Sequence, residues 1–424
     1  MSMLHSRDPR IHSLLLKGNV GLEKESLRVT EDGYLSHTPH PFGESKHIVR
    51  DFCENQTEIN TGIHPDAAGA IEELGYYTNI IQKTLRDLPE RELLWPFSNP
   101  SYIRSEEDIP IAQFDGVQRS KTAYRNYLSD RYGRYIMTLS GIHFNYSFAD
   151  ELLQEDFVLS GEPNFQDYKN RFYLELGQKV AQYGWIVTAV TAASPIVDSS
   201  YLEKGKIGGS CFLGKASVRC SESGYWNSFV PILNYTSIEA YTDSIQYYVD
   251  EHFLAAPSEL YYPVRLKPAG LNNLGTLREN GINHIELRNV DLNPLVPEGL
   301  DVRDAQFIQY FLIFLASITT KPFPGSAQAL AVQNFKKAAS YDLKTVKIVT
   351  ASGRTESVAD AGADIITAME DFYADFPQEI RDVLAFEKDK FIHPETRYAW
   401  IVRKQYETDF VKRGLELAKK RQEI

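Results

Sequence analysis

The alternation of apolar and polar residues sorts this chain into strands and helices. Alternation over residues 20–30 and 45–61 predicts strands, in which every second side chain leaves the same face. The period changes in "HPDAAGAIEELGYYTNIIQKTLRDL", which begins at His64. There Ile71, Leu74, Thr78, Ile81, Leu85 and Leu88 recur at helical spacing, and Asp66 stands where an N-cap belongs. "SKTAYRNYLSDRYG" predicts a short helix stopped by Gly133, and "IMTLSGIHFNYSF" a strand rich in β-formers. A long helix is expected over 168–193, ending near Pro195. "LYYPVRLKP" and "HIELRNVDLNP" read as strands, each closed by a proline. Beyond residue 300 the pattern is helical over 301–319, 326–339, 358–375 and 394–420, and only "TVKIVTAS" looks extended. The sum is an α+β fold, with a mainly antiparallel sheet and a helical C-terminal third, about 300–424. No linker, low-complexity block or repeat divides the chain, so residues 1–424 are read as a single domain.

Composition narrows the function. The 45 basic residues against 57 acidic ones give a net charge of −12, which argues against a nucleic-acid partner. The longest apolar runs, "WIVTAVTAASPIV" and "FIQYFLIFLASI", are too short to cross a membrane and read as buried helices. The opening "MSMLHSRDPRIHSLLLKGN" shows no secretory pattern. The three cysteines, Cys53, Cys211 and Cys220, form no CxxC pair and suit a reducing compartment. A cytoplasmic protein is the expectation.

Several candidate strands carry polar residues two apart within apolar surroundings: Glu23/Glu25 in "GLEKES", His143/Asn145 in "GIHFNYS" and Glu286/Arg288 in "HIELRNVD". "DFCENQTEIN" adds Asp51, Glu54 and Glu58; on one unbroken strand, parity sets Glu54 and Glu58 on one face and Asp51 on the other unless a bulge intervenes. For any single pair, a solvated sheet face is the simpler explanation. Several converging pairs would make an acidic cluster that needs cations, and hard carboxylate oxygens suit Mg²⁺. Zinc fits less well, because neither HExxH nor CxxC occurs.

Most arginines are expected in surface ion pairs. Arg265 differs, because it lies on the apolar candidate strand "YYPVRLK" and needs an anionic partner there. Tyr124 and Leu128 fall one helical turn apart, Tyr225 follows the turn "SESG", and Tyr261 begins "YYPVR"; core packing would account for each tyrosine singly. There is no GxxxxGK[ST] loop, and no GxGxxG opens a helix; "KIGGSCFLGKAS" matches neither spacing. A bound nucleotide would have to rest on a sheet face and metal ions.

The blocks "GLEKESLRV", "DFCENQTEINT", "LLWPFSNPSYI", "IPIAQFD", "YRNYLSDRYGRYIMTLSGIHFNYSF", "TAASPIV", "YYPVRLKP" and "GINHIELRNVDLNP" run in order from residue 18 to about 300. Together they resemble bacterial glutamate–cysteine ligase, especially the form that makes up the N-terminal half of bifunctional glutathione-synthesising enzymes. The resemblance implies a curved, glutamine-synthetase-like antiparallel sheet backed by helices, with ATP and metals on its concave face. It implies Mg²⁺, or Mn²⁺, held by Glu23, Glu25, Asp51, Glu58, His143 and Glu286. Arg288 would hold substrate glutamate and Arg265 the ATP phosphates, so that Glu23, Glu25, Arg265 and Arg288 are the catalytic candidates. Phe52, Tyr124, Arg125, Leu128, Arg219, Tyr225 and Tyr261 would surround the acceptor amino acid, and Asn145 is a further substrate-binding candidate. Two positions depart from the family's usual pattern: Val218 where leucine is more common before the arginine, and Cys53 where a small residue is common. The implied reaction is ATP-dependent joining of the glutamate γ-carboxylate to the α-amine of cysteine through γ-glutamyl phosphate, the first step of glutathione synthesis. Alternatives are a ligase using another amine, a silent nucleotide-binding paralogue, and a metal-dependent phosphohydrolase, which the arginines and tyrosines fit poorly.

Overall fold

The computed structural model describes residues 4–319 and 321–423. Its central sheet is built from β1 (Gly18–Thr30), β2 (Ile48–Arg50), β3 (Gln56–Asn60), β4 (Glu92–Leu94) and β5 (Gly141–Phe148). Two short strands, β6 (Ile196–Asp198) and β7 (Ser210–Phe212), pair apart from it, and β8 (Val264–Lys267) and β9 (His284–Asp291) complete it. The order is β2-β3-β1-β5-β9-β8, with β4 on the far end of β1, and every ladder is antiparallel. The α+β expectation is borne out.

Alternation in β1 decides what lies on each face. Val20 and Leu22 point into the main core with Ile142, Phe144, Ile285, Leu287 and Val290. That face is covered by the helices Ala67–Arg86, Phe165–Tyr183 and Val302–Ser317. Asp66 caps the first, accepting from the Gly69 amide, and Ile71, Leu74, Thr78, Ile81 and Leu85 are its buried face, with Leu88 packed partly buried beyond its end. Gly133, with φ at +77°, ends the helix Arg119–Tyr132, since a left-handed turn there favours glycine.

Four sequence expectations need correction. Residues 45–61 are not one strand: β2 and β3 pair with each other, and residues 51–55 make the turn between them. The parity assigned to Asp51, Glu54 and Glu58 therefore fails. Glu54 faces away from the acidic cluster, accepting from the His40 and Gln113 amides and pairing with Arg50 at 3.1 Å. Residues 136–148 become a strand only from Gly141, after a 3₁₀ turn at Ile136–Thr138. The helix expected over 168–193 breaks at Gly184 into Phe165–Tyr183 and Trp185–Thr191, where a Cβ would sit 2.5 Å from the Val180 carbonyl. The helix expected over 394–420 is Tyr398–Tyr406 and Phe410–Gln422, separated at Asp409 with φ of +57°, and the helix Gln378–Ile392 precedes it. Among the described residues no helix is long and apolar enough to cross a membrane. All three cysteines are unpaired.

Candidate active site

Hydrogen-bonded register lines up the polar pairs. Glu23 stands opposite Asn60 on one side and His143 on the other, and Glu25 stands opposite Glu58. On β9 the register slips: Ile142 pairs with Val290, but Phe144 pairs with Leu287. One extra residue is thus inserted beside His143, a β-bulge at Arg288 and Asn289. The core positions shift from Ile285 and Leu287 to Val290 and Leu292, while Glu286 and Arg288 stay on the site face.

Glu23, His143 and Glu286 form the tightest group, with one ligand atom from each within 4.8 Å of the others. His143 Nδ1 is 2.8 Å from Glu23 Oε2, and Asn145 Nδ2 donates to Glu23 Oε1 at 3.0 Å. Glu25 Oε1 is 3.9 Å from His143 Nε2, while its Oε2 accepts from the Gly141 amide at 3.0 Å. Arg288 Nη1 donates to Glu286 Oε2 at 3.1 Å, and Lys267 Nζ lies 3.2 Å from Glu286 Oε1.

These contacts divide the acids. Burial and the Asp51 carboxylate push Glu25 up to about 8. Burial, together with Asp51, Glu23 and Glu25, pushes Glu58 well above the carboxylate range. Burial would also raise Glu286, but Arg288, Lys267 and His143 hold it well below that range. Burial and Glu286 would raise Glu23 as well, but its hydrogen bond to His143 together with the charges of His143 and Lys267 lowers it on balance. Burial and Arg288 lower His143, favouring neutral imidazole. Two acids thus resist ionising beside two that are charged, and a bound cation would relieve that repulsion. The donor set fits a hard divalent ion: carboxylate oxygens dominate, and the buried His143 Nε2 has no hydrogen-bond partner.

Beside this cluster opens a cavity of about 370 Å³, within the usual range for a small-molecule site. Its walls include Glu25, Asp51, Phe52, His143 and Arg288 at the acidic end. The helix Arg119–Tyr132 contributes Tyr124, Arg125 and Leu128, and Arg219, Tyr225 and Tyr261 close the far side. Arg219 Nη1 donates to the Arg288 carbonyl at 2.8 Å, leaving its buried Nε without a partner. Arg125 Nε donates to the Asp51 carbonyl at 2.5 Å. Tyr225 stacks edge-on against Tyr261 with ring centroids 5.2 Å apart.

Glu23, Glu58, Asn145, Arg265 and Glu286 are not among the residues lining this cavity. Arg265 is opposite Glu286 in the β8–β9 ladder and borders a separate cavity of about 50 Å³. It forms no carboxylate ion pair among the described residues. Its Nη2 donates to the Ser258 and Leu260 carbonyls instead, and its buried Nε is unpartnered. Burial and Arg288 push Arg265 down to about 10. Sequence reasoning missed Lys267, which the same two-residue spacing from Arg265 would have found. It also missed Met137, which accepts from Tyr225 Oη at 3.1 Å, and the walls formed by Trp226, Asn289 and Phe335. Trp226 directly follows the predicted Tyr225, whereas Phe335 arrives from the helix Gly325–Ala338 and carries no local signal.

The family model for glutamate-cysteine ligase matches residues 4–253 and 229–338. The glutathione biosynthesis bifunctional protein of Listeria monocytogenes serovar 1/2a is 34% identical over 414 residues, covering 94% of this chain and 53% of that protein. Its Pasteurella multocida counterpart is 35% identical over 309 residues, covering 71% and 40%. This chain spans about half the length of the curated relatives it matches. Among solved structures, glutamate–cysteine ligase from Francisella tularensis in complex with AMP superposes with a TM-score of 0.86 at 22% identity, covering 96% of this chain and 88% of that one. A bifunctional glutathione synthetase from Pasteurella multocida gives 0.85 at 28%, covering 100% and 55%.

Proposed function

We propose, from the premise that this chain belongs to the glutamate–cysteine ligase family, that it joins the γ-carboxylate of L-glutamate to the α-amine of L-cysteine at the expense of ATP. The observation that carries this reading is the meeting of Glu23, His143 and Glu286 on one sheet face, beside a cavity walled by arginines and tyrosines.

Glu23, Glu25, Asp51, Glu58, His143 and Glu286 would hold Mg²⁺, or Mn²⁺ in its place. Bound there, the ion would neutralise the phosphates and the glutamate carboxylate. Arg288 sits between the acids and the cavity, where its fork can grip the carboxylate that will be phosphorylated. Arg265 keeps an unpaired buried Nε that can meet a phosphate oxygen. A carboxylate does not react with an amine unaided, because oxide leaves poorly. Phosphoryl transfer to the γ-carboxylate supplies a leaving group, and ADP departs. The amine of cysteine then attacks the acyl carbon, phosphate leaves with the C–O bond electrons, and the nitrogen's surplus proton passes to that phosphate or to a nearby carboxylate, leaving the amide. Phe52, Tyr124, Arg125, Leu128, Arg219, Tyr225 and Tyr261 would hold the acceptor so that this second step needs no collision. Asn145, bonded to Glu23, sets that carboxylate's orientation.

The substrates are small molecules, with neither nucleic acid nor membrane as partner, the domain is single, and the location is the cytoplasm. The test is ADP release in the presence of ATP, Mg²⁺ and glutamate, screened across amines. Release that depends on cysteine supports the assignment. Release with another amine moves it to a sister ligase. Release without any amine or glutamate makes the chain a phosphohydrolase.

A further inference from the structure

The last residue of β9, Asp291, is a buried acid that the proposed chemistry does not use. Its Oδ2 accepts from the Ala193 amide at 3.0 Å and from Ser194 Oγ at 2.6 Å, and its Oδ1 accepts from Ser217 Oγ at 2.8 Å. Among the described residues it forms no ion pair. One side chain thus joins three segments that are far apart in the chain. Burying a carboxylate without a paired cation is costly. Burial pushes Asp291 up, against those hydrogen bonds and the nearby Arg219 charge.

The two serines differ in what lies behind them. They face each other across a parallel bridge. Among the described residues the Ser194 hydroxyl bonds to Asp291 alone, whereas Ser217 Oγ also accepts from the Cys220 amide at 3.1 Å. That second bond closes the turn that carries Arg219. The turn is tight: the Tyr225 amide donates to the Arg219 carbonyl at 3.1 Å, and a Cβ on Gly224 would overlap that oxygen. Arg219 then lies across Gly141, which stands opposite Asp291 in the β5–β9 ladder, and its Nη1 donates to the Arg288 carbonyl at 2.8 Å. Its Nη2 makes no hydrogen bond among the described residues, and the side chain walls the main cavity.

We propose that Asp291, acting through Ser217, is a positioning residue that fixes the direction in which Arg219 presents its free Nη2 to the carboxylate of the acceptor amino acid. This deepens, and rests on, the reading that Arg219 meets the acceptor. A guanidinium held ready in place loses less freedom when its ligand arrives. The effect therefore falls on affinity for the acceptor and not on phosphoryl transfer. With the Ser194 hydroxyl removed, Asp291 Oδ2 would keep the Ala193 amide; with the Ser217 hydroxyl removed, the carboxylate loses its link to the turn.

The experiment compares Ser217→Ala with Ser194→Ala in the whole chain, since each removes one hydroxyl from the same carboxylate. Ser217→Ala should raise the KM for the acceptor amino acid by at least about fivefold, part of the cost of losing a hydrogen bond to a charged group, with kcat and the KM for ATP moving much less. Ser194→Ala should keep the wild-type KM. Hydroxylamine, an acceptor without a carboxylate, should be used equally by both variants and the wild type. Should Ser217→Ala fail to fold, Ser217→Cys, similar in shape but a weaker acceptor, supplies the same comparison. In crystals of the Ser217 variant, Arg219 Nη1 should have left the Arg288 carbonyl. An unmoved Arg219 would overturn the proposal, as would an unchanged KM, an equal rise in both serine variants, a matching loss with hydroxylamine, or a wild-type chain indifferent to the acceptor's carboxylate. ADP release by the wild type without any amine would sink the ligase reading instead, and the position of Arg219 in the crystals would then decide alone.

Discussion

Glu25 stands directly opposite Glu58 in the ladder between β1 and β3. Like charges directly opposite destabilise a sheet, and here both groups are pushed up by burial and by neighbouring acids. Such a pairing lowers stability for the sake of a site.

Neutral isosteres should separate those two effects. Glu23→Gln, Glu25→Gln and Glu286→Gln keep shape and remove charge. Each should lower kcat by about 10²–10³-fold, the scale of losing one charge-stabilising group. The melting temperature of metal-free Glu25→Gln should hold or rise, because its repulsion with Asp51 and Glu58 is relieved. Near-wild-type turnover in all three at saturating Mg²⁺ would remove these residues from the metal site.

Arg288→Lys keeps a positive charge beside Glu286 but loses the planar fork. The KM for glutamate should rise by at least about tenfold, the low end of the roughly 1.5–3 kcal/mol for a hydrogen bond to a charged group, with that for ATP moving much less. The reverse pattern would assign Arg288 to the nucleotide.

Gly141 is where backbone and guanidinium nearly touch. A Cβ there would lie 2.3 Å from Arg219 Cζ. Gly141→Ala should leave the fold intact, since the far end of Arg219 can move, but displace it from the Arg288 carbonyl. Steady-state kinetics should show a raised KM for an amino-acid substrate. Unchanged kinetics would show that Arg219 does not position substrate.

His40 gives a pH-dependent stability. Burial, with Arg50 and Arg28 nearby, pushes it down to about 4, and its Nδ1 has no partner. The unfolded chain takes up that proton near pH 6.5, so the contribution is full above that value and is lost as pH falls toward 4. His40→Gln should flatten the loss of melting temperature between pH 7 and pH 5. An identical slope in both proteins would contradict this.

The proposed acyl phosphate can be tested by interception. With ATP, Mg²⁺ and glutamate but no cysteine, hydroxylamine should yield γ-glutamyl hydroxamate slowly, because it forgoes the contacts of Tyr124, Tyr225 and Tyr261. Glutamate labelled with ¹⁸O in its γ-carboxylate should pass one labelled oxygen to phosphate. Amide formation with unlabelled phosphate would exclude γ-phosphorylation, and AMP in place of ADP would identify the replacement route.

Where the period of a single element settles the matter, the sequence was sufficient. Two-residue spacing in β1 puts Glu23 and Glu25 on one face in any sheet, and helical spacing with a cap at Asp66 sets the helix Ala67–Arg86. The ordered motif blocks also carried the family. Neither spacing nor motif reports how one element meets another. The β2–β3 turn brings Asp51 near Glu58 against the parity of a continuous strand, and the bulge beside His143 keeps Glu286 and Arg288 on the site face while Val290 returns to the core. Lys267 pairs with Glu286, Trp226 and Phe335 reach the cavity, and Arg265 turns to backbone carbonyls, all through cross-strand or long-range contacts. Only tertiary structure decided these, because a side chain's direction follows from its own backbone, whereas its partner depends on register, turns and packing set by residues far away in the chain.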